Sequence, residues 1–532
     1  MKKKKVSISN FLCKQSVAGY IFILPFIIGF LVFTIIPMIS SLYLSFTDYS
    51  ILGSPKWVGL KNYAKMFTKD SKYLKSLKVT FFYAFASVPL KLLMALVVAM
   101  IMTKKTKLTG IYRAVYYLPS IIGGSVAVAV MWKQLFSSSG VINSVLQALG
   151  LDVTISWIGN PKTAIWVLIL LSVWQFGSSM LIFLAGLKQI PKSYYEAARV
   201  DGASAAKSFF KITLPLLTPT IFFNLVMQMI NGFMVFNSGY IITGGKPLNS
   251  TLFYALYLYE KAFTDYDMGY ACAMAWVLLI VVSIITGLVF YPNTGFIMNQ
   301  RGDIMRLSRK LGMKRSKRFH NILYHVLVCL FGFLMIYPLL WMVMSSFKES
   351  SSIFRESYRL IPDTIHFENY INGWKGFGGY TFGVFFSNSF LIAIIATIGA
   401  VFSSAIIAFG FARLHFRGQG FWFSCVMLTM MLPFQVIMIP QFLIFKQLGW
   451  VNTILPLTVP YFFGQAFFIF QNMQFIRGIP AELDEAARID GCTYYGIFLR
   501  IILPLIKPSI VTTAIFSFMW RWDDFFGALL YL

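Results

Sequence analysis

The chain holds 532 residues, 58% of them hydrophobic and only 12% charged, with 54 phenylalanines, a mean hydropathy of +0.71 and a formal net charge of +27. A soluble domain carries about a quarter charged residues, so this make-up excludes a water-soluble globule. It also excludes a transmembrane β-barrel, which needs segments of about ten residues alternating in polarity, whereas the apolar runs here are continuous.

"MKKKKVSISN" opens the chain, and Ala18 to Phe46 then pass without a charged residue. A bilayer span needs about 20 apolar residues. This run outlasts the apolar core of a secretory leader and ends in no small-x-small cleavage site, so a retained first span held by cytosolic lysines is expected. The loop 47–76 follows with six lysines, Lys56, Lys61, Lys65, Lys69, Lys72 and Lys75. Further spans are predicted at 79–103, 111–136, 163–187, 212–242 and 271–298. Lys91, the lone charge well inside a span, is expected to face the bundle or a wet cavity.

Next comes "NQRGDIMRLSRKLGMKRSKRFH" at 299–320, with eight Lys/Arg against one Asp. Such a segment suits a cytosolic linker against an anionic leaflet, each basic residue contributing about 1 kcal/mol. The basic residues sit between spans, not on a soluble face, so they set topology and exclude a nucleic-acid partner. Five more spans are predicted at 322–347, 384–412, 420–446, 454–476 and 501–532. The expected fold class is an all-α polytopic membrane protein of about 11 spans. Counting from a cytosolic N-terminus puts 104–110 and the linker inside, as the positive-inside rule asks; the lysines of 47–76 run against it. The five cysteines are never closer than 57 residues and form no CxxC framework; they read as small apolar fillers.

"EAARVDGA" at 196–203 returns as "EAARIDGC" at 485–492. Over 32 positions, 190–221 and 479–510 share 15 identities without a gap, at a fixed offset of 289 residues. Internal duplication in a membrane protein implies two equivalent halves with a pathway between them. The module predicts a helix from Pro191 to Asp201 closed by Gly202, with Glu196 and Arg199 able to pair on its surface. Ala197 and Ala198 keep it thin, so that another backbone can approach. A second short helix should follow and break at Pro215, where the next span begins. The result is a bent cytosolic elbow, more than a passive connector needs.

In the fifth span Asn224, Gln228 and Asn231 are spaced four and three apart and share a helix face. They either line a route for a hydroxyl-rich solute, with Phe233 and Phe236 offering rings to stack on sugar, or hydrogen-bond between helices. Gln175 in the fourth span is a further candidate. "GASAAKS" at 202–208 lacks the glycine before the lysine that a phosphate loop requires, and His320, His325, His366 and His415 make no HExxH. No catalytic residue, metal site or cofactor is expected.

The repeated module resembles the EAA motif of binding-protein-dependent ABC importers. Phe209, Ile212, Leu214, Pro215 and Pro219 fit its pattern in the first copy; Cys492 replaces its alanine in the second. "FLAGLKQIPKSYYEAARVDGA" and "GYACAMAWVLLIV" are similar to the F-type permease of maltose-like carbohydrate importers. "NSFLIAIIATIGAVFSSAIIAFGFARLHFRGQG" and "MLPFQVIMIPQFLIF" are similar to their G-type permease. The resemblance thus implies two homologous bundles in the type I ABC importer permease fold. An F-type half at 1–298 (EAA loop 191–219) is joined by the linker 299–320 to a G-type half at 321–532 (EAA loop 480–508). The G-type permease continues past "WRWDDFFGALLYL" through another span, so its last span is expected to be missing.

The resemblance further implies that each elbow docks into a cleft on one of two cytosolic ABC ATPase subunits. The docking role falls on Glu196, Ala197, Ala198, Asp201 and Gly202, and on Glu485, Ala486, Ala487, Asp490 and Gly491. ATP hydrolysis then belongs to a separate subunit, an extracellular solute-binding protein delivers a sugar or oligosaccharide, and the chain sits multi-pass in a bacterial plasma (inner) membrane, the N-terminus cytosolic. The competing reading, an ion-coupled secondary sugar transporter, wants acidic residues within spans; only Asp523 and Asp524, near the end, approach this. A sugar-phosphorylating component would want a phosphorylatable His or Cys in a cytosolic motif, and none stands out.

Overall fold

The computed structural model describes residues 14–50, 53–104, 106–151, 153–290, 317–350, 352–355 and 359–532. The N-terminal lysines and linker residues 299–316 lie outside them. Among the described residues, six helices are long and apolar enough to cross a membrane. They are α1 (Gln15–Ser45), α2 (Ser71–Ile101), α8 (Ala205–Phe233), α9 (Met268–Phe290), α10 (Lys317–Ser345) and α11 (Phe382–Arg413). Four bent pairs bring the total to as many as ten where each is counted as one span.

The first pair is α3 (Thr109–Ile122) with α4 (Val126–Leu135), bent by 98° at Gly123 and Gly124. Two glycines cost a helix most there, and Ser125 restarts it by accepting the Val128 N–H at 3.3 Å. The second, α5 (Ala164–Trp174) with α6 (Gly177–Gln189), bends by 42°. The third, α12 (Gln419–Met431) with α13 (Phe434–Gln447), turns 96° at Pro433, a residue that cannot continue the preceding ladder. The fourth, α16 (Tyr494–Leu505) with α17 (Lys507–Trp522), turns 76°.

The predicted span 454–476 departs from this. Turns lead into a 3-10 segment Val459–Phe463, Gly464 takes φ +86°, and only the 12-residue α14 (Ala466–Arg477) follows. That helix covers about 18 Å, too little to span. Its first-half counterpart, 289 residues earlier, is the α5–α6 break. The same interruption is deeper where Pro460 and Gly464 replace Leu171 and Gln175.

Two compact units emerge, and neither is one half of the sequence. Among the described residues, the first comprises 14–62, 265–279 and 373–532. In it α1 lies against α11 through glycine: a Cβ on Gly410 would sit 2.9 Å from Phe22, and one on Gly19 2.4 Å from Phe416. Small residues let membrane helices close up in this way. Phe22, Phe409 and Phe498 fill the core between these helices and α16, with ring centroids 4.9 to 5.6 Å apart.

The second unit comprises the described residues within 63–264 and 280–372. Here α2 packs on α5, α6 and α8, and α10 packs on α3. The Tyr116 hydroxyl donates to the Val328 carbonyl at 2.6 Å, and the Trp174 indole to that of Met335 at 3.1 Å. These bonds satisfy polar atoms that would otherwise be orphaned in apolar surroundings.

Candidate functional site

The two copies of the repeated module close their helices alike, bond for bond. In the first, α7 (Lys192–Val200) starts after Pro191; in the second, α15 (Glu482–Ile489) starts after Pro480 and Ala481. Both stop the same way. Gly202 takes φ +72° and Gly491 φ +81°, the left-handed conformation that glycine enters without steric cost. The Ala203 N–H then reaches back to the Ala198 carbonyl at 2.8 Å and that of Gly202 to Arg199 at 3.1 Å. Cys492 and Gly491 make the equivalent bonds to Ala487 and Arg488 at 2.9 and 3.0 Å. This is a Schellman closure in each copy, satisfying carbonyls at the helix end.

One residue later Ser204 accepts the Lys207 N–H, and Thr493 accepts that of Gly496, both at 3.2 Å. Each cap starts the helix that becomes the next span. Pro215 was expected to break that helix and does not. Five-residue π-turns, Phe209–Thr213 and Phe498–Ile502, precede Pro215 and Pro504. A wider turn absorbs the hydrogen bond that proline cannot make, so α8 runs unbroken from Ala205 to Phe233. In the second copy the bend comes later, at Ile506, between Pro504 and Pro508.

Glu196, Asp201, Gly202, Glu485, Ala486, Asp490 and Gly491 are exposed, and Ala197 and Ala198 half-buried. Ala487 is buried in the core of its own unit, so its small side chain lets the elbow lie close on its span. Glu196 and Arg199 are both exposed, and no ion pair joins them among the described residues. At Gly202 and Gly491 an added Cβ would meet nothing within 4 Å; backbone conformation, not space, requires glycine there.

The elbows differ in how they are tied down. The Tyr195 hydroxyl bonds that of Thr213 at 2.9 Å, within the first module. At the equivalent position stands Asp484, whose carboxylate lies 2.9 Å from Arg413 Nε at the end of α11. Arg413 also donates to the Ile479 carbonyl at 2.6 Å. Partial burial pushes the Asp484 carboxyl above its ordinary range; Arg413 pulls it down by less, and Glu485 pushes it up.

Sequence reasoning missed Arg413 and two apolar side chains. Val200 and Ile489 occupy equivalent positions and stand 58% and 87% exposed. An apolar residue kept between Arg and Asp in both copies was the available signal.

The polar stripe on α8 is graded. Asn224 is fully buried and its Nδ2 donates to the Ser179 carbonyl at 3.5 Å, while its Oδ1 has no partner. Gln228 is half-buried and Asn231 exposed. In the second half the equivalent stretch is closed on itself: Ser509 donates to Asn472 at 2.6 Å and Asn472 to Thr513 at 3.3 Å. Gln175 bridges two helix breaks, its Nε2 donating to the Gly123 carbonyl at 2.8 Å. Phe233 is buried edge-on against Phe81, and Phe236 stacks on Tyr240.

The family of binding-protein-dependent transport system inner membrane components matches residues 63–294 and again 400–532. The chain is 60% identical over 283 residues to the probable ABC transporter permease protein YesP of Bacillus subtilis, covering 53% of this chain and 92% of the relative. It is 33% identical over 278 residues to the arabinooligosaccharides transport system permease protein AraP of the same organism, covering 51% and 87%. To the trehalose/maltose transport system permease protein MalF of Thermococcus litoralis it is 32% identical over 286 residues, covering 53% and 95%. Each relative thus matches nearly whole onto about half of this chain.

Proposed function

This chain belongs to the binding-protein-dependent transport system inner membrane components, as a multi-pass membrane permease with two copies of the family's domain, and on that premise we propose that it carries a sugar or oligosaccharide inward in an ABC importer. An extracellular solute-binding protein delivers the sugar. The elbows at 191–219 and 480–508 lie on the cytosolic side, as does the N-terminus, and each seats in one of two ATPase subunits. Clamping of those subunits on ATP swings the elbows and opens the route. A bacterial plasma membrane is the setting.

The observation that carries this reading is the bond-for-bond identity of the two elbow closures, which present Glu196, Val200 and Asp201 in one copy and Glu485, Ile489 and Asp490 in the other. A connector has no need to display the same exposed residues twice, whereas two identical motor subunits do. Sugar as cargo is supported by relatives whose names state arabinooligosaccharides and trehalose/maltose. Asn224, Gln228 and Asn231 belong to the route, the partnerless Asn224 Oδ1 being free to accept from a hydroxyl. Ion coupling is disfavoured because the described spans hold no Asp or Glu.

The test is reconstitution in proteoliposomes with candidate ATPase and binding proteins and a sugar panel. Uptake should require ATP and both partners. Uptake at the same rate without nucleotide would overturn the reading.

A further inference from the structure

α2 carries one charge where a membrane helix tolerates it least. Between Lys78 and Lys104 the only ionisable side chain with a charge at neutral pH is Lys91, with 12 residues on either side. That is roughly 18 Å of helix in each direction, farther than a lysine stem reaches to water. Lys91 continues the buried stripe of Thr80, Ala84 and Ser87, at helical spacing, and is itself half-buried. It makes no hydrogen bond or ion pair among the described residues, and the described spans hold no carboxylate to pair with it.

The packing of α8 on α2 gives Lys91 a neighbour. A Cβ on Gly232 would lie 3.3 Å from Ala84 and 3.5 Å from Val88, and the Phe233 ring centroid is 5.0 Å from that of Phe81. With each bent pair counted as one span, α2 and α8 are three crossings apart and run in opposite directions. Moving one turn back from Gly232 along α8 reaches Gln228 on the same face, and one turn on from Val88 along α2 reaches Lys91. Helical spacing thus puts each of the two one turn from these contacts, on the faces of α2 and α8 that carry them. Lys72, Lys75 and Lys78 are exposed on the first turns of the same α2, the end that the positive-inside rule would keep poor in lysine.

We infer that Lys91 and Gln228 form an anion-recognising pair in the route, and that the cargo is an acidic sugar. Resting on the permease reading, this narrows its substrate class. The ammonium neutralises a carboxylate or phosphate at the depth where water cannot, and the Gln228 amide bonds an adjacent hydroxyl. The lysines at the head of α2 raise the local concentration of an anionic solute.

The test uses the whole complex in proteoliposomes. The probes are glucuronate-, galacturonate- and mannuronate-ended disaccharides, their methyl esters, glucose 6-phosphate and neutral disaccharides of the same size. Lys91→Met and Lys91→Arg are compared with the wild type. Wild-type uptake should favour an acid over its ester, Lys91→Met should lose roughly thirtyfold or more of acid uptake, and Lys91→Arg should retain most of it. Preference for glucose 6-phosphate over every uronate supports the anion pair with phosphate as its source. Uptake of neutral sugars or esters in preference to every acid, or acid uptake unaffected in Lys91→Met, overturns the inference and leaves the permease reading standing. A wild type that moves no sugar of either kind with ATP and both partners present overturns both.

Discussion

Arg413 Nε lies 2.9 Å from the Asp484 carboxylate, fastening the last turn of α11 to the first turn of the second elbow. The side chains keep only 12% and 16% of their exposure, and the Ile479 carbonyl holds the guanidinium in place. The pair is a strut between a span and the surface that the motor is proposed to grip. Reversing one member, as in Asp484→Arg, leaves like charges together. It should cost about 2 kcal/mol, between the values for exposed and buried pairs, and lower the transport achieved per ATP. The double reversal Arg413→Asp with Asp484→Arg should recover much of both. Equal losses in single and double variants would show that the pair transmits nothing.

The same carboxyl sets a pH dependence. Its folded-state value is raised, chiefly by burial, so the fold favours the protonated form. Its stabilising contribution is present at low pH and lost as pH rises through the raised value. Asp484→Asn should therefore gain on the wild type in thermal midpoint as pH climbs from acid to neutral. A constant difference across that range would contradict the assignment.

Gly202→Ala and Gly491→Ala meet no steric obstacle, yet each forces a Cβ into a left-handed backbone, costing about 1–2 kcal/mol. Asparagine, which tolerates that conformation, should cost less. The thermal midpoint in detergent gives the order: glycine, asparagine, alanine.

Glu196→Lys combined with Glu485→Lys should abolish uptake while leaving insertion and yield unchanged, since both side chains are exposed. A charged anchor in a partner's cleft can contribute about 2 kcal/mol or more. Normal uptake by the double variant would remove the docking role.

Val200→Asp with Ile489→Asp changes two exposed positions and should shift stability by less than about 0.5 kcal/mol. Copurification of the ATPase should nevertheless fall sharply, since water-facing apolar groups that recur in both elbows are explained by a partner that covers them. Undiminished capture is the contrary result.

Much of this was legible because membrane helices obey few rules. Apolar runs located ten of the eleven predicted segments, six as single long helices and four as bent pairs, and a gapless repeat located both elbows. The missing span shows the limit: 454–476 is apolar enough, but Pro460 and Gly464 break its backbone where composition still reads as helix. Pro215 failed as a stop signal for the opposite reason. A proline rule says that one hydrogen bond is lost, not that a π-turn one step earlier can absorb the loss. Arg413 and Asp484 are 71 positions apart, and no local pattern connects them. Asn224 and Gln228 were visible as one stripe, but only packing told the buried amide from the half-buried one.

Because each compact body draws its helices from both halves of the sequence, with α1 completing the one built on 373–532, and α10 the one built on 63–264, neither half can finish its architecture until the other has been made. A ribosome releasing this polypeptide leaves α1 waiting in the bilayer for the surface it will lean on. By the same logic, a protease cut introduced between Phe290 and Lys317 should yield fragments that stay clasped in mild detergent, since parting them means pulling whole helices out of finished cores.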